Sequence, residues 1–153
     1  MMSINEIMTA DPITLGQDAT LDDAGSLMKQ HRIRHVPIVT DDMELLGLIT
    51  QRDLLAVSSV ESNRNAVKEI MRRKVYTVSE SADMRSAALM MQEYKIGALP
   101  VLRDDKLVGI ITDSDYVALA INLLEQLNEF EIDEIDSYDD SDDNDFTLGV
   151  ESP

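Results

Sequence analysis

The sequence contains no cysteine and no tryptophan, and it has only two histidines in 153 residues. Without cysteine the chain has no disulfide, no thiolate metal site and no cysteine nucleophile, and a reducing cytoplasm is the compartment that we expect. The first six residues carry neither a basic segment nor an apolar one, so no signal peptide is predicted. No apolar run reaches the ~20 residues that a membrane-spanning helix requires, so no membrane partner is expected.

Positive charge is scarce overall and absent from the C-terminal part of the chain. The formal net charge is −17, and no lysine or arginine follows Lys106. Such a field repels nucleic-acid backbones, so binding of DNA or RNA is not expected. Residues 128–153 are acidic and of low complexity, which predicts a solvated tail, although its apolar residues could instead dock on the protein or on a partner. The tail lacks the spacing of a calcium loop, so no metal site is assigned.

An internal repeat organises the chain. Residues 4–56 align with residues 67–118 at an offset of 63, which drops to 62 after Met43, and 17 of the 52 aligned pairs are identical. Identity spread this evenly indicates two copies of one structural unit. We therefore divide the chain into a first repeat at 1–62, a second repeat at 63–127 and an acidic tail at 128–153.

Each copy follows the same βαββα order, which predicts an α+β fold. Apolar residues at helical spacing predict helices over Leu21–His31 and Met84–Tyr94, capped by Thr20 and Asp83. Runs of β-branched and apolar residues predict two strand pairs: Val36–Thr40 with Leu45–Thr50, and Leu99–Arg103 with Leu107–Thr112. The remaining predicted elements are amphipathic turns at Ile4–Met8 and Val67–Met71, extended pieces at 13–15 and 76–78, closing helices from Gln51 and Asp113, and a polar linker at 58–65.

A motif of chemical interest occurs once in each copy, where the last strand meets the closing helix. It has the form Gly-x-x-Thr-x-x-Asp and contains Thr50 and Asp53 in the first copy and Thr112 and Asp115 in the second. One interpretation is a capping box, in which the threonine hydroxyl and the carboxylate accept from amides at the start of the helix. The other is a ribose site, because a carboxylate accepts both hydroxyl donors of a sugar diol, and the helix N-terminus favours phosphate.

A proline near the start of a strand also recurs, as Val36-Pro37 and as Leu99-Pro100. Proline cannot donate to a sheet ladder, so one interpretation is a plain edge-strand start. The alternative is that free backbone groups nearby read the edge of an adenine, with Val36 or Leu99 packed against its face.

Together these motifs resemble those of cystathionine β-synthase (CBS) domains, which occur in tandem as Bateman modules. The resemblance covers about residues 4–125 and implies two repeats packed as a pseudo-twofold pair, with adenosine-type ligands in clefts between them. The residues that match the family's ligand sites are Ile13, Thr14, Val36, Pro37, Thr50 and Asp53 in one site and Tyr76, Thr77, Leu99, Pro100, Thr112 and Asp115 in the other. Family positions that often contact phosphate hold Arg34, His35 and Arg52 in the first copy and the uncharged Gly97, Ala98 and Ser114 in the second.

The resemblance implies a regulatory sensor without catalytic residues, whose ligand is AMP, ADP or ATP. The basic run 72–74 is either an additional phosphate contact or a plain loop. Three alternatives stay open: S-adenosylmethionine as the ligand, an empty second site, and a ligand-free structural adaptor that engages a partner through its acidic tail. The module is expected to form a homodimer and to act on a regulated protein that the sequence does not identify.

Overall fold

The computed structural model describes residues 2–57 and 65–137, with side chains described as far as Glu129. In chain order its elements are a 3-10 helix (Ile4–Glu6), β1 (Thr9–Ala10), α1 (Leu21–His31), β2 (His35–Val39), β3 (Leu45–Thr50), α2 (Gln51–Leu55), α3 (Val67–Ile70), β4 (Val78–Ser79), α4 (Met84–Tyr94), β5 (Ala98–Arg103), β6 (Lys106–Thr112) and α5 (Asp113–Ser137). This is the predicted α+β fold with two repeats of the same order. Residues 58–64 of the predicted linker lie outside the described residues.

The long helix of each repeat begins and ends at equivalent residues. The hydroxyl of Thr20 accepts from the amide three residues on at 3.0 Å and caps α1, and a carboxylate oxygen of Asp83 does the same at 2.8 Å for α4. Both helices end on a residue in the left-handed region, Arg32 with φ 54° and Lys95 with φ 53°, which turns the chain toward the following strand. The predicted bounds and caps of both helices are confirmed.

Each repeat builds an antiparallel strand pair and adds short pieces to its edges. In the second repeat β5 pairs with β6, β4 lies parallel beside β5, and β1 lies beside β6, which gives the order β1-β6-β5-β4. In the first repeat β2 pairs with β3, and the edge pieces are single bridges, Leu15 with Ile38 and Leu48 with Arg72. The predicted extended pieces are therefore shorter than expected, because residues 13, 14, 76 and 77 lie outside any strand.

The predicted bounds of β3 are confirmed, and those of β2, β5 and β6 differ from the observed ones by one residue at one or both ends. β2, β5 and β6 each begin one residue earlier than predicted, because their first residues still find a partner on the neighbouring strand, as His35 does with Thr50. β2 ends at Val39, since the amide of Thr40 already bonds the carbonyl of Glu44 at 2.9 Å and begins the turn.

The leading segments, residues 4–10 of the first repeat and 67–73 of the second, are exchanged between the repeats. Ile4 is buried in the core of the second repeat, and Val67 is buried in the core of the first. The hydrogen bonding is reciprocal, because the amide of Ile4 donates to the carbonyl of Ala82 at 3.0 Å and the amide of Val67 donates to that of Ala19 at 2.7 Å. Repeats that are contiguous in sequence are thus interlocked in space.

The glycine of the recurrent motif is required by this exchange. At Gly47 a Cβ would lie 2.7 Å from Sδ of Met71 and 2.8 Å from the carbonyl oxygen of Arg72. At Gly109 a Cβ would overlap the side chain of Met8. In each repeat the missing side chain admits the leading segment of the other repeat.

The chain comprises two compact units, residues 1–117 and 118–153, and the first unit contains both sheets. Helix α5 begins at Asp113 as predicted and runs to Ser137, so the tail boundary predicted at residue 128 falls within a helix. Leu, Gln and Glu favour helix strongly, which is why acidic composition alone did not mark the end of the element. No helix in the described part of the chain is long and apolar enough to cross a bilayer.

Candidate functional site

The first unit contains a cavity of about 870 Å³ between the two repeats. Its walls come from the start of β2, the end of β3, the segment after α3, the end of α4 and the start of β5. The predicted site residues that line it are Arg34, His35, Thr50, Arg52, Tyr76 and Ala98. Residues that the resemblance assigns to two sites therefore meet at one cavity, whose volume suits a small-molecule ligand.

The cavity is basic, although the chain as a whole carries −17. Its lysine and arginine lining residues are Arg34, Arg52, Arg72, Lys74 and Lys95. Against these five cations stands one lining carboxylate, that of Asp113, which accepts from Nη2 of Arg34 at 3.1 Å. Cations gathered in a concave site attract an anion more strongly than the same charges spread over a surface.

Asp53 is held by two different partners. One oxygen, Oδ2, accepts from the amide of Thr50 at 2.9 Å, and the Thr50 hydroxyl accepts from the amide of Asp53 at 3.2 Å, which completes a capping box at the start of α2. The other oxygen, Oδ1, accepts from Nε and Nη2 of Arg72 at 3.3 and 3.1 Å. The capping interpretation is therefore correct, and the oxygen that remains available for a sugar faces an arginine that lines the cavity.

Asp115 occupies the equivalent position at the start of α5. Its Oδ2 accepts from the amide and the hydroxyl of Thr112, at 2.8 and 3.3 Å. The residue equivalent to Arg72 in the repeat alignment is Thr9, which has no guanidinium to offer. The two motifs share the bond from the threonine amide to the carboxylate but differ in the role of the threonine hydroxyl and in electrostatics.

His35 lies at the start of β2 and faces the second repeat. Burial, followed by the neighbouring Arg34, lowers the pKa of His35 below its ordinary value of 6.5, against the opposing effect of Asp113. Burial therefore favours the neutral form of the ring. A Cβ on Gly97 would lie 3.4 Å from its Nε2, so the imidazole packs against the glycine of the other repeat.

Two tyrosines add an aromatic surface to the lining. Tyr76 and Tyr94 stack with ring centroids 4.2 Å apart and planes 11° from parallel. Both line the cavity and are about half-exposed, at 46% and 45%. Such a surface is suited to stacking against a nucleobase.

Four predicted contact residues are core residues instead. Val36 and Leu99 are fully buried in the first and second cores, and Pro37 and Pro100 are less than 2% exposed. The expected packing of Val36 or Leu99 side chains against an adenine face does not fit this burial. The edge-strand interpretation does not fit the second copy either, because Pro100 is the third residue of β5, which lies between β6 and β4.

The other predicted residues are not lining residues of the large cavity, although Asp53 is bonded to two that are, Thr50 and Arg72. Ile13, Thr14, Asp53, Thr112, Ser114 and Asp115 do not line it, and Thr77 lines a smaller hollow of about 370 Å³ instead. Sequence reasoning missed Lys95 and Tyr94, because the end of α4 comes to the cavity only through tertiary packing. Among the described residues, no group of three or more His, Asp or Glu side chains is placed to hold a metal ion.

A family model of the CBS domain matches the chain twice, over residues 4–59 and 67–121. A solved Vibrio cholerae protein named for acetoin utilization (AcuB) is 47% identical with a TM-score of 0.77, over 84% of this chain and 97% of that one. The CBS domain pair of protein MJ0100, in complex with 5′-methylthioadenosine and S-adenosyl-L-methionine, is 30% identical with a TM-score of 0.72, over 80% of this chain and 98% of that one.

A third solved structure, CBSX2 in complex with AMP, is 26% identical with a TM-score of 0.71, over 80% of this chain and 98% of that one. Among curated relatives, the chain spans 82% of the length of one protein but only 22% of the length of another, which is an enzyme. The similarity to the enzyme is thus confined to a minor part of its length.

Proposed function

The chain belongs to the CBS domain family as a tandem regulatory pair, and from this premise we propose that it binds an adenine nucleotide, AMP, ADP or ATP, in the cavity between its repeats. A nucleotide that binds one arrangement of the repeats better than another shifts the module toward that arrangement. The module then acts as a sensor and performs no chemistry on its ligand.

The observation that carries this proposal is the concentration of positive charge at one place in an acidic protein. Five lysine and arginine side chains and one carboxylate line the cavity, whereas the chain has 30 acidic and 13 basic residues in all. Phosphate oxygens accept strong charge-assisted bonds from guanidinium groups, and two of the lining arginines, Arg34 and Arg72, are about half-exposed, each paired with a carboxylate that a phosphate would replace.

Two relatives support the adenosine part of the ligand. One is in complex with AMP, and the other is in complex with 5′-methylthioadenosine and S-adenosyl-L-methionine. The stacked pair of Tyr76 and Tyr94 supplies an aromatic surface for a base. The basic lining favours a phosphorylated ligand over S-adenosylmethionine, because the sulfonium of the latter is itself positive.

Isothermal titration with ATP, ADP, AMP, adenosine and S-adenosylmethionine tests the proposal. We expect saturable binding of at least one of the three nucleotides, and a nucleotide at 100 times its dissociation constant should add about 2.7 kcal/mol to stability in thermal melting. Binding of S-adenosylmethionine alone would replace the nucleotide by that ligand. Absence of binding and of melting shifts with all five compounds would favour the alternative of a ligand-free adaptor.

The proposal extends to assembly and location. We propose a homodimer that acts on a regulated protein in the cytoplasm. Light scattering of the full chain, with and without nucleotide, measures the assembly. A purely monomeric chain under both conditions would contradict it.

A further inference from the structure

We propose that Arg72 is a specificity-determining residue, which makes the cavity select phosphorylated over unphosphorylated adenosine ligands. This inference rests on the proposed function and concerns how the site discriminates among its ligands. It follows from the ion pair between Arg72 and Asp53 and from the position of Arg72 at the cavity.

The ion pair occupies the carboxylate that matches the family's ribose-binding position. Oδ2 of Asp53 accepts from the amide of Thr50, and Oδ1 accepts from Nε and Nη2 of Arg72. The Asp53 side chain is 14% exposed, whereas that of Arg72 is 54% exposed. A sugar hydroxyl that approaches Oδ1 must therefore compete with a guanidinium already bonded to it through two nitrogens.

The backbone of Arg72 is fixed while its side chain borders the cavity. The amide and the carbonyl of Arg72 both bond Leu48, each at 2.9 Å, so the residue is part of the edge of the first sheet. The guanidinium can exchange one partner for another by side-chain rotation alone. Since Thr9 occupies the equivalent position in the other repeat, only the motif of Asp53 has a guanidinium that can change partners in this way.

The release of Arg72 from Asp53 has opposite consequences for two kinds of ligand. A ribose without phosphate displaces Arg72 from Asp53 and leaves the guanidinium without an anionic partner. A nucleotide displaces it in the same way but provides phosphate oxygens as a replacement, which a guanidinium binds in a bidentate manner. Arg72 thus weakens the binding of adenosine and strengthens that of AMP.

The test is titration of wild type, Arg72→Gln and Arg72→Lys with adenosine and with AMP. We expect the AMP dissociation constant to rise roughly tenfold in Arg72→Gln, the effect of one charge-assisted contact, and the adenosine constant to fall a few-fold. Arg72→Lys retains the charge without the planar fork and should lie between the two. Arg85→Gln is the matched control, since Arg85 is exposed on α4 and does not line the cavity.

The possible outcomes separate the role of Arg72 in selection from nucleotide binding itself. Equal weakening of both ligands, or no change in either, would overturn the role of Arg72 in selection while nucleotide binding stands. If folded wild type binds none of AMP, ADP and ATP, the proposed function fails first. A second readout is the side-chain Nε resonance of Arg72 in NMR spectra, which should move on addition of AMP, and a resonance unmoved by saturating AMP would contradict the exchange of partners.

Discussion

Arg72 and Asp53 form an ion pair between two repeats that the sequence presents as separate units. Nη2 of Arg72, from the leading segment of the second repeat, lies 3.1 Å from Oδ1 of Asp53, at the start of α2 in the first. The same carboxylate caps α2 through its other oxygen. A single side chain therefore contributes to helix stability and to the junction of the repeats, and it borders the candidate ligand site through Arg72.

Asp53→Asn and Asp53→Ala should differ from each other in stability, whereas both should bind nucleotide more weakly than wild type. Asparagine retains an acceptor for the cap, whereas alanine removes it, which costs about 1 kcal/mol in comparable caps. Both variants remove the carboxylate and should weaken nucleotide binding. Urea unfolding and titration with AMP measure the two effects, and unchanged affinity in both variants would rule out a ribose contact at Asp53.

Arg34→Ala should weaken ATP binding more than adenosine binding. Arg34 lines the cavity, and its loss also leaves the carboxylate of Asp113 without the guanidinium that lies 3.1 Å away. Both changes make the cavity less favourable for phosphate and leave a neutral nucleoside little affected. Titration of both ligands against Arg85→Ala as control checks this, and an equal loss for both ligands would count against a phosphate contact.

Stability should depend on pH through His35. Its pKa in the folded protein lies below 6.5, chiefly because of burial and then because of Arg34. Between the folded value and 6.5 the unfolded chain binds more protons, so the contribution of the neutral ring is present above pH 6.5 and is lost as the pH falls through this window. Urea unfolding at pH 7.5 and 5.5 should show a smaller decline for His35→Gln than for wild type or the exposed control His31→Gln. Equal declines in all three would refute the assignment.

Gly47→Ala should destabilise the fold more than Gly109→Ala. The added Cβ at Gly47 meets the carbonyl oxygen of Arg72 at 2.8 Å, and backbone cannot move aside without displacing the leading segment, which we expect to cost about 1–3 kcal/mol. At Gly109 the obstacle is the flexible side chain of Met8, so the loss should be smaller. Gly25→Ala is the control.

Gly25 lies within α1, where an added Cβ meets only Leu54 Cδ1 at the ordinary distance of 3.7 Å. Alanine there should stabilise the helix by ~0.5–1 kcal/mol. Thermal melting of all three variants measures the order. A Gly109 variant that is less stable than the Gly47 variant would contradict the role of the Arg72 backbone.

Local structure could be predicted because local rules decide it. The cap at Thr20, the first residues of α2 and α5 and the span of β3 follow from periodicity and capping chemistry within a few neighbouring residues. Helix α5 ends at Ser137, a bound that the sequence did not set, because a composition typical of a solvated tail is also compatible with helix.

The candidate site was predicted only in part. Arg34, His35 and Arg52 were assigned from the resemblance and line the cavity, whereas Lys95 and Tyr94 reach it from a helix end that carries no motif. Val36 and Leu99 were expected to face a ligand but are buried in the core. When adjacent strand residues are all apolar, their alternation does not show which face of the strand packs into the core.

The sequence by itself determined the repeat, the order of elements and the positions of the two Thr-x-x-Asp motifs at helix starts, because each depends on residues close together in the chain. Only the tertiary structure decided that the leading segments change places, that Arg72 meets Asp53 and that five cations gather around one cavity. Those features depend on which surfaces of the two repeats bury one another. Residues far apart in sequence are brought together by that burial, and no local pattern encodes it.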